Sequence, residues 1–509
     1  MKKIISVILA TAMLAASLSV VGFAYETKTA VYPEVQVHGF SYQELYLDKD
    51  DTSSDVIWPP TTDTIFTAVK DSIPYLAKFA VTRDWDTLGT QLAPIVRKIF
   101  EPAFLDENGN PQGNTGVYFE YPTKEEVKEN PEQMFEYDWR LDPIETAAQL
   151  NDFIDYILDC TGAKKVNLQC HSFGGVVTTA YIKLYGTSKL NTVVYNTTAI
   201  YGETFTGELM TGKISLDGEA IHAYMEYVFD GKTGETIMNG IFDILSKAGL
   251  LDLVCSLGNT FIEKLSPTIL GEAIVPLFGG WLSIWSMVPD EYIDDAMDYV
   301  FNTVYKDSTV DRTQLINKIN NYNTLVRANR EDILDEAAEN TNFYVICRYG
   351  YSAIPATESW KNLSDGTIDS KFTSFGATTS DYNSTLTDEQ LSDSDPERVS
   401  PDKRIDATTC RYPDRTWFIR GLKHADAEGT MDELFDKFFE YDGQATVDTF
   451  EDLPQFLSFD STSLTISADT GEQTQKATGI IAVFKEIIDM FKSLLYRIFG
   501  RLVPAAPVC

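Results

Sequence analysis

Residues 164–180 read KKVNLQCHSFGGVVTTA, and this stretch decides the fold. Val166 and Leu168 alternate with polar residues, a Gly-Gly pair follows, and the remainder suits a helix, which predicts a strand, a sharp turn and a helix. Ser172 lies at the turn. The arrangement is typical of a nucleophile elbow, whose usual pattern is G-x-S-x-G; here the compact Cys170 replaces the first Gly. An ordinary strand-to-helix loop can also contain S-x-G-G, so the interpretation depends on finding partner residues.

The composition is that of a large, folded and strongly acidic protein. The chain has 509 residues, of which 44% are hydrophobic and 12% aromatic, enough for a sizeable core. Its 76 acidic and 41 basic residues give a net charge of −35, which repels nucleic acid and excludes a nucleic-acid partner. The six cysteines have no C-x-x-C spacing, so we expect no disulfide framework. Cys347 and Cys410 could pair if neighbouring strands bring them together, and buried free thiols are the alternative.

The first residues have the order of a secretory signal peptide. Two lysines follow Met1, residues 4–21 form an apolar run, and Gly22-Phe23-Ala24 comes after it. We therefore expect residues 1–24 to be a signal peptide cleaved after Ala24, and the protein to be secreted and extracellular. An uncleaved membrane anchor is the alternative, although the apolar run is at the short end for spanning a bilayer.

Upstream of the elbow, the sequence predicts strands and helices in turn. Residues 32–40, YPEVQVHGF, alternate as a strand that stops at a His-Gly pair. Apolar residues at helical spacing predict helices over residues 64–80 and 87–100. Residues 106–110, DENGN, carry alternating oxygen-bearing side chains that could ligate calcium, but the bidentate Glu of an EF-hand is lacking, so a hairpin turn is favoured.

A well-marked helix precedes the elbow strand. Asp142, Pro143 and Glu145 supply an N-cap, a first-turn proline and an acid at the third position, and apolar spacing continues to Gly162. Three more strands are expected further on, over residues 191–196, 343–350 and 415–420. This alternation predicts an α/β fold with a mostly parallel central sheet and helices on both faces.

Three short motifs carry a resemblance to a known family. They are His38-Gly39-Phe40, Tyr137-Asp138-Trp139-Arg140, and Cys170-His171-Ser172-Phe173-Gly174-Gly175. Together they resemble the lecithin:cholesterol acyltransferase-like branch of the α/β-hydrolase lipases, particularly its secreted bacterial members. The resemblance implies an α/β-hydrolase fold and a serine esterase, lipase or phospholipase with a capped active site. We expect the acid and the arginine of the second motif to form a structural ion pair.

The resemblance also implies a catalytic triad. In this fold the chain order is nucleophile, acid, histidine, which Ser172, Asp402 and His424 match. His424 would take the proton from Ser172, while Asp402 would fix the tautomer of His424 and balance the imidazolium charge. Asp406 is the alternative acid, because it shares the loop at 400–409. After His424, a capping box of Thr430 and Glu433 predicts a helix through Tyr441.

Two backbone amides are the expected oxyanion hole. The N–H of Phe40 follows the His-Gly pair at the end of a strand, and the N–H of Phe173 opens the elbow helix. Both would point toward the negative charge that develops on the substrate oxygen. This chemistry requires no metal ion and no nucleotide cofactor.

Residues 205–340 are helical in pattern and unusually apolar. They predict a cap inserted into a catalytic domain that covers residues 25–445, and such caps bind acyl chains and exclude water. A helical subdomain with its own core is the alternative. The candidate substrate-binding residues are Trp139, Trp281, Trp285 and Met287.

Two segments of different character follow the catalytic domain. Residues 446–479 are polar and predict a linker, and residues 480–509 contain an amphipathic helix over 480–499. We expect this helix to contact a membrane surface peripherally; docking on the cap or on another subunit is the alternative. The sequence leaves the oligomeric state open.

These features predict a secreted carboxylic ester hydrolase that acts on lipid or other acyl-ester substrates through an acyl-Ser172 intermediate. Acyl transfer to an alcohol is the same chemistry with another acceptor and stays open. The alternative from another class is a noncatalytic lipid- or surface-binding protein on the same scaffold. An amidase or peptidase is less favoured, because the apolar insertion suits acyl chains.

Overall fold

The computed structural model describes residues 32–229, 250–426, 431–461 and 463–471. The predicted signal peptide at 1–24, Thr430 of the predicted capping box, and the amphipathic segment at 480–509 lie outside the described residues. Within the described ranges, every helix is too short or too polar to cross a lipid bilayer.

The strands, in chain order, are β1 (Glu34–Val37), β2 (Leu45–Tyr46), β3 (Val56–Trp58), β4 (Glu132–Phe135), β5 (Val166–His171), β6 (Leu190–Asn196), β7 (Asn342–Tyr349), β8 (Tyr351–Ser352), β9 (Leu363–Ser364), β10 (Thr378–Thr379), β11 (Ile405–Asp406), β12 (Thr416–Arg420), β13 (Phe456–Asp460) and β14 (Thr465–Ala468). Eight of them form the central sheet in the order β4-β1-β5-β6-β7-β12-β13-β14. The sheet is parallel from β4 to β13, and β14 pairs antiparallel at one edge. The predicted α/β fold is therefore confirmed.

The α-helices, in chain order, are α1 (Thr62–Thr82), α2 (Trp85–Phe100), α3 (Lys124–Glu129), α4 (Pro143–Thr161), α5 (Gly174–Tyr185), α6 (Thr204–Met210), α7 (Gly218–Phe229), α8 (Leu250–Ile269), α9 (Val275–Phe278), α10 (Leu282–Met287), α11 (Ile293–Met297), α12 (Thr313–Leu325), α13 (Arg330–Asn340), α14 (Ser370–Thr373) and α15 (Asp432–Glu440). Helices α6 to α13 all lie in the chain between β6 and β7. The described parts of the insertion, residues 205–229 and 250–340, are thus largely helical, as their apolar pattern predicted.

The central strands are buried on both faces, which is why they are apolar almost throughout. In β6, Val193 and Tyr195 join the core that α4 and α5 cover, whereas Val194 joins a second core with Leu434 and Phe438 of α15. Because side chains alternate across a strand, consecutive residues serve opposite faces. Helices therefore cover both faces, and the nucleophile turn lies within this layered core.

The helix before the elbow strand begins and ends where the sequence predicted. The carboxylate of Asp142 accepts a hydrogen bond from the N–H of Ile144, and Pro143 opens the helix. Gly162 ends it with φ of 75°, a left-handed conformation that glycine adopts without a steric penalty. These local signals fix the position of α4 between β4 and β5.

The region after α15 differs from the predicted linker. Residues 446–479 were expected to be an unstructured connection, and residues 415–420 to form the last strand. Instead, β13 pairs parallel with β12, and β14 returns antiparallel beside β13. The polar alternation of this segment suits an edge strand with one solvated face, so the prediction of a linker is wrong for this part, and the α/β domain continues at least to Gly471.

Two smaller predictions can be compared directly. Residues 106–110 form the predicted turn, closed by a hydrogen bond from the N–H of Asp106 to the carbonyl oxygen of Asn110 at 2.8 Å. The described cysteines are all buried free thiols, including Cys347 and Cys410, which share one apolar cluster without a disulfide bond. The helix predicted after His424 and through Tyr441 is α15. It begins after Met431, whose side chain makes no capping hydrogen bond.

Candidate active site

Ser172 occupies a strained turn between β5 and α5. Its φ is 55°, a left-handed conformation that is unfavourable for a residue with a Cβ atom. Its N–H donates to the carbonyl oxygen of Asn196 at 3.2 Å, and its own carbonyl accepts from the N–H groups of Gly175 and Ala199, each at 3.1 Å. These contacts hold the turn in the conformation that a nucleophile elbow requires.

The glycines around the turn allow backbones to approach closely. A Cβ atom on Gly174 would lie 2.1 Å from the carbonyl oxygen of Val37 at the end of β1, and one on Gly175 would lie 2.5 Å from the Cβ of Thr198. Neither distance is sterically possible without backbone movement, so the Gly-Gly pair is required for α5 to start beneath β1.

His424 lies directly against the nucleophile. Strand β12 ends at Arg420, and the loop after it places His424 Nε2 3.0 Å from Ser172 Oγ. Both residues are nearly buried, each 6% exposed. The structure thus brings Ser172 and His424 together, as the chain order predicted.

The carboxylate that contacts His424 is Asp365, which the sequence reasoning did not select. Its Oδ2 lies 2.7 Å from His424 Nδ1, and the residue is completely buried. Asp402 is directed elsewhere: its Oδ1 accepts from the hydroxyl of Ser400 at 2.7 Å and from the N–H of Arg404 at 3.3 Å. The assignment of Asp402 as the triad acid is therefore wrong.

The alternative acid, Asp406, is also committed to its own loop. Its carboxylate accepts from the hydroxyl of Ser394 at 2.5 Å and from the N–H of Thr408 at 2.9 Å. Asp365 instead follows β9 in a Ser-Asp-Gly-Thr turn. The sequence feature that could have identified Asp365 is this turn, which lies downstream of the buried strand β7. An Asp side chain in such a turn accepts a hydrogen bond from the backbone N–H two residues further along the chain, which fixes its carboxylate.

Four donors surround the Asp365 carboxylate. Oδ1 accepts from the N–H groups of Thr367 at 2.9 Å and Ile368 at 2.8 Å, while Oδ2 accepts from the hydroxyl of Thr197 at 2.5 Å as well as from His424. Burial by itself would raise the pKa of Asp365, but the nearby His424 and these hydrogen bonds outweigh it and hold that pKa below its ordinary value. Asp365 is therefore ionised at neutral pH.

This arrangement assigns the tautomer of His424. An ionised carboxylate can only accept, so Nδ1 of His424 carries the proton that it donates to Asp365. Neutral His424 then presents an unprotonated Nε2 to the hydroxyl of Ser172, which donates to it. The hydrogen-bonded chain from hydroxyl to imidazole to carboxylate is the arrangement that activates a serine nucleophile.

The backbone of His424 is held by the side chains of Arg348 and His171. Its carbonyl oxygen accepts from Arg348 Nη1 and lies 3.1 Å from His171 Nε2; Arg348 Nη1 also donates to the carbonyl of Lys423 at 2.8 Å. Burial, together with the nearby His424 and Arg348 side chains, holds the pKa of His171 well below its ordinary value. His171 is therefore neutral and supports the histidine loop through its ring N–H.

The expected oxyanion amides lie on both sides of the nucleophile. Phe173 directly precedes α5, and Gly39, whose peptide carries the N–H of Phe40, approaches so closely that a Cβ there would lie 2.7 Å from the Cβ of Ser172. Among the described residues, neither amide donates to a protein acceptor. Nδ1 of His38 lies 2.8 Å from the carbonyl oxygen of Gly39 and fixes that peptide, and burial lowers the pKa of His38 to about 4, so its ring is neutral.

The tryptophans predicted to line a substrate groove are core residues instead. Trp139, Trp281 and Trp285 are at most 1% exposed, and each indole N–H donates to a backbone carbonyl, of Gln43, Ala103 and Gly279 respectively. Met287 is also buried, at 7% exposure. The prediction is wrong for this conformation, because apolar helical spacing marks burial without distinguishing a core from a groove.

Two of these indoles do have a place beside the site. The rings of Trp139 and Trp281 pack against Phe40, with centroid distances of 4.4 and 5.7 Å. Arg140 and Asp138 form the expected ion pair at 2.6 Å, with the guanidinium completely buried. The Tyr-Asp-Trp-Arg motif thus supports the loop that carries the Phe40 amide.

Comparisons with known proteins add little to this geometry. No family model matches the chain, and no curated protein matches it. Four chains of solved structures match. One belongs to the crystal structure of the Tle4-Tli4 complex, with 13% sequence identity, a TM-score of 0.23, and coverage of 63% of this chain and 75% of that one. Similarity at this level carries no argument about function, which therefore depends on the site itself.

Proposed function

We propose that this protein is a serine hydrolase that cleaves carboxylic esters. The observation that carries the proposal is the continuous contact from Ser172 Oγ to His424 Nε2 at 3.0 Å, and from His424 Nδ1 to Asp365 Oδ2 at 2.7 Å. The serine lies at a strained turn, and the carboxylate is buried and ionised. A purely structural hydroxyl needs neither a buried imidazole nor a buried charge behind it.

The geometry supports an acyl-enzyme mechanism. Ser172 Oγ attacks the ester carbonyl carbon while His424 Nε2 takes its proton, and Asp365 balances the resulting imidazolium. The amides of Phe40 and Phe173 donate to the carbonyl oxygen as it becomes an oxyanion. The tetrahedral intermediate collapses, His424 returns the proton to the departing alcohol, and acyl-Ser172 remains. Water, activated by the same imidazole, then releases the acid.

Lipid or other acyl esters are the proposed substrates. The support is the resemblance of the three short motifs to the lecithin:cholesterol acyltransferase-like lipases, together with the apolar helical insertion between β6 and β7. An alcohol in place of water would take the acyl group from Ser172 by the same steps, so acyl transfer belongs to the same proposal. The sequence of residues 1–24 adds secretion to it.

A fluorophosphonate probe tests the proposal directly, because only an activated serine forms the phosphonyl adduct. We expect the wild-type protein to label, and Ser172→Ala to be silent at equal folded concentration. Ser283→Ala is a matched control that should keep full labelling, because Ser283 is buried like Ser172 but lies in the helical insertion. An unlabelled wild type, or undiminished labelling of Ser172→Ala, would overturn the proposal in favour of a noncatalytic binding protein. In an active preparation, a series of p-nitrophenyl esters then gives the preferred acyl length.

A further inference from the structure

Residues 196–199, which are the last residue of β6 and the three that follow it, connect both halves of the proposed catalytic machinery. The carbonyl of Asn196 accepts from the N–H of Ser172 at 3.2 Å, and the N–H of Ala199 donates to the carbonyl of Ser172 at 3.1 Å. Between these two contacts, the hydroxyl of Thr197 donates to Asp365 Oδ2 at 2.5 Å. One short segment therefore fixes the backbone of the nucleophile and the carboxylate of the acid.

Thr197 has an unfavourable backbone conformation that the surrounding contacts maintain. Its φ is 44°, a left-handed value that is rare for a β-branched residue. Its N–H donates to the carbonyl of Ile346 in β7 at 2.7 Å, and the residue is completely buried. Strain of this kind persists where the position is required for function or is fixed by its neighbours. At Thr197 the strained turn aims the hydroxyl at Asp365.

The hydroxyl of Thr197 contacts Oδ2, the oxygen of Asp365 that is hydrogen-bonded to His424. Oδ1 of Asp365 is held by two N–H groups of its own turn, whereas Oδ2 is shared between the hydroxyl of Thr197 and Nδ1 of His424. The ionised carboxylate has no proton, so Thr197 must be the donor. A donor on Oδ2 fixes its direction and also draws negative charge away from the bond to His424.

We propose that Thr197 is a positioning residue of this active site, which sets the orientation and the basicity of the carboxylate that faces His424. The inference deepens the proposed serine hydrolase function and rests on it. Thr197 acts through Asp365 and does not touch the reacting atoms.

Removing the hydroxyl has two expected effects. The carboxylate loses one of its directing donors, so the imidazole is less well oriented, and kcat falls about 10- to 100-fold, the range for a hydrogen bond to a buried charge. Without the hydroxyl, Oδ2 also keeps more negative charge, which stabilises the imidazolium form of His424. The acid limb of the pH profile of kcat/KM therefore moves to higher pH, by about half a unit to one unit. KM changes little. The titratable groups that face Asp365 are His424, Tyr227 and Cys347.

The test compares variants at Thr197 with a control in β6, the strand that directly precedes it. Thr197→Val removes the hydroxyl while keeping the shape, Thr197→Ala removes it without branching, and Thr197→Ser restores it. Thr192→Val is the control, because Thr192 is equally buried in β6 but lies at its opposite end. We expect the kcat loss and the shift of the pH profile in Val and Ala variants, recovery in the Ser variant, and neither effect in the control.

The failure of this inference is distinguishable from the failure of the proposed function. If the wild type hydrolyses esters and a folded Val or Ala variant keeps its kcat and pH profile, Thr197 is only structural and the inference is overturned. The same conclusion follows if Thr197→Ser fails to recover either property. Should the wild type lack activity, the low-field proton resonance of His424 Nδ1–H still reports on the contact; it should move in Thr197→Val, and an unchanged resonance overturns the inference.

Discussion

Exchanging the buried carboxylate for an amide gives the sharpest test of the triad. In Asp365→Asn the shape of the side chain is kept, but one oxygen becomes an NH₂ group. Oδ1 accepts from the N–H groups of Thr367 and Ile368, so the amide oxygen must remain there. The NH₂ group therefore faces His424, where Asp365 Oδ2 lies 2.7 Å from Nδ1 in the native protein. A donor at that position reverses the direction of the hydrogen bond.

The reversed bond sets the size of the effect. His424 must accept through Nδ1, so its proton moves to Nε2, the nitrogen that should take the proton from Ser172 at 3.0 Å. The wrong tautomer in a serine triad lowers kcat by about 10⁴-fold, which corresponds to about 5 kcal/mol of lost transition-state stabilisation. Substrate binding is unaffected by the tautomer, so the loss should lie in kcat.

The assay is hydrolysis of a short p-nitrophenyl ester, with the rate of fluorophosphonate labelling as a second readout. Thermal unfolding of each variant separates lost chemistry from lost folding. Asp402→Asn is the matched control: Asp402 is a carboxylate from the loop that the sequence favoured, and its Oδ1 contacts Ser400 and Arg404. We expect the kcat of this variant to stay within about a few-fold of the wild type, because the Asp402 carboxylate does not contact His424.

Two results would refute the reasoning. A folded Asp365→Asn protein with more than a tenth of the wild-type kcat would show that the tautomer of His424 does not depend on Asp365. A loss in Asp402→Asn as large as that in Asp365→Asn would show that the loop at 400–409 supplies the acid in solution.

Three further predictions concern packing, pH and lipid. Gly174→Ala should lose about 3 kcal/mol or more of unfolding free energy in urea titrations, because the new Cβ would lie 2.1 Å from a backbone oxygen. The control is Gly271→Ala, where the atom nearest to the new Cβ is 3.7 Å away, and this variant should be neutral or slightly stabilising. Burial raises the pKa of Glu203 to about 8, so the stability that Glu203 contributes is complete below about pH 4.5 and declines as the pH rises to 8. Glu203→Gln should reduce this decline by up to about 1.4 kcal/mol per pH unit. Unfolding curves measured across this pH range check the prediction. Full-length protein should co-sediment with zwitterionic liposomes more than a chain that ends at Thr478, and equal binding would contradict the membrane role predicted for 480–499.

Local patterns were sufficient for the framework of the site. Apolar alternation identified β5, β6, β7 and β12, and the capping residues identified α4, because burial and hydrogen bonding act on neighbouring residues in the chain. The elbow is similarly local: Ser172 and the two glycines after it satisfy steric demands that a few residues can express. His424 followed from chain order, since the sequence contains only four histidines.

Where the sequence reasoning failed, the same local pattern allowed several tertiary outcomes. Trp139 and Trp281 were predicted to line a groove, but their indoles are buried against Phe40. Apolar spacing records that a side chain leaves water, and both a core and a groove satisfy it. Strands β13 and β14 lie in a segment that was predicted as a linker. The polar sequence of this segment does not distinguish the two structures, because such a segment becomes a strand when a neighbouring strand supplies its hydrogen bonds.

The sequence by itself determined the α/β scaffold, the nucleophile turn and the histidine that meets it, because each depends on residues that are close in the chain or few in number. Only the tertiary structure decided which carboxylate completes the site. Asp365 and Asp402 are both turn residues in polar loops, and the chain has 76 acidic residues from which the acid partner of His424 had to be chosen. The acid is determined by the packing of β7 between β6 and β12, which places one loop beside Nδ1 of His424. The hydroxyl of Thr197 then donates to the carboxylate at that position. The distance between these remote segments is a property of the fold, and the local turn sequence that Asp365 shares with other acidic residues does not reveal it.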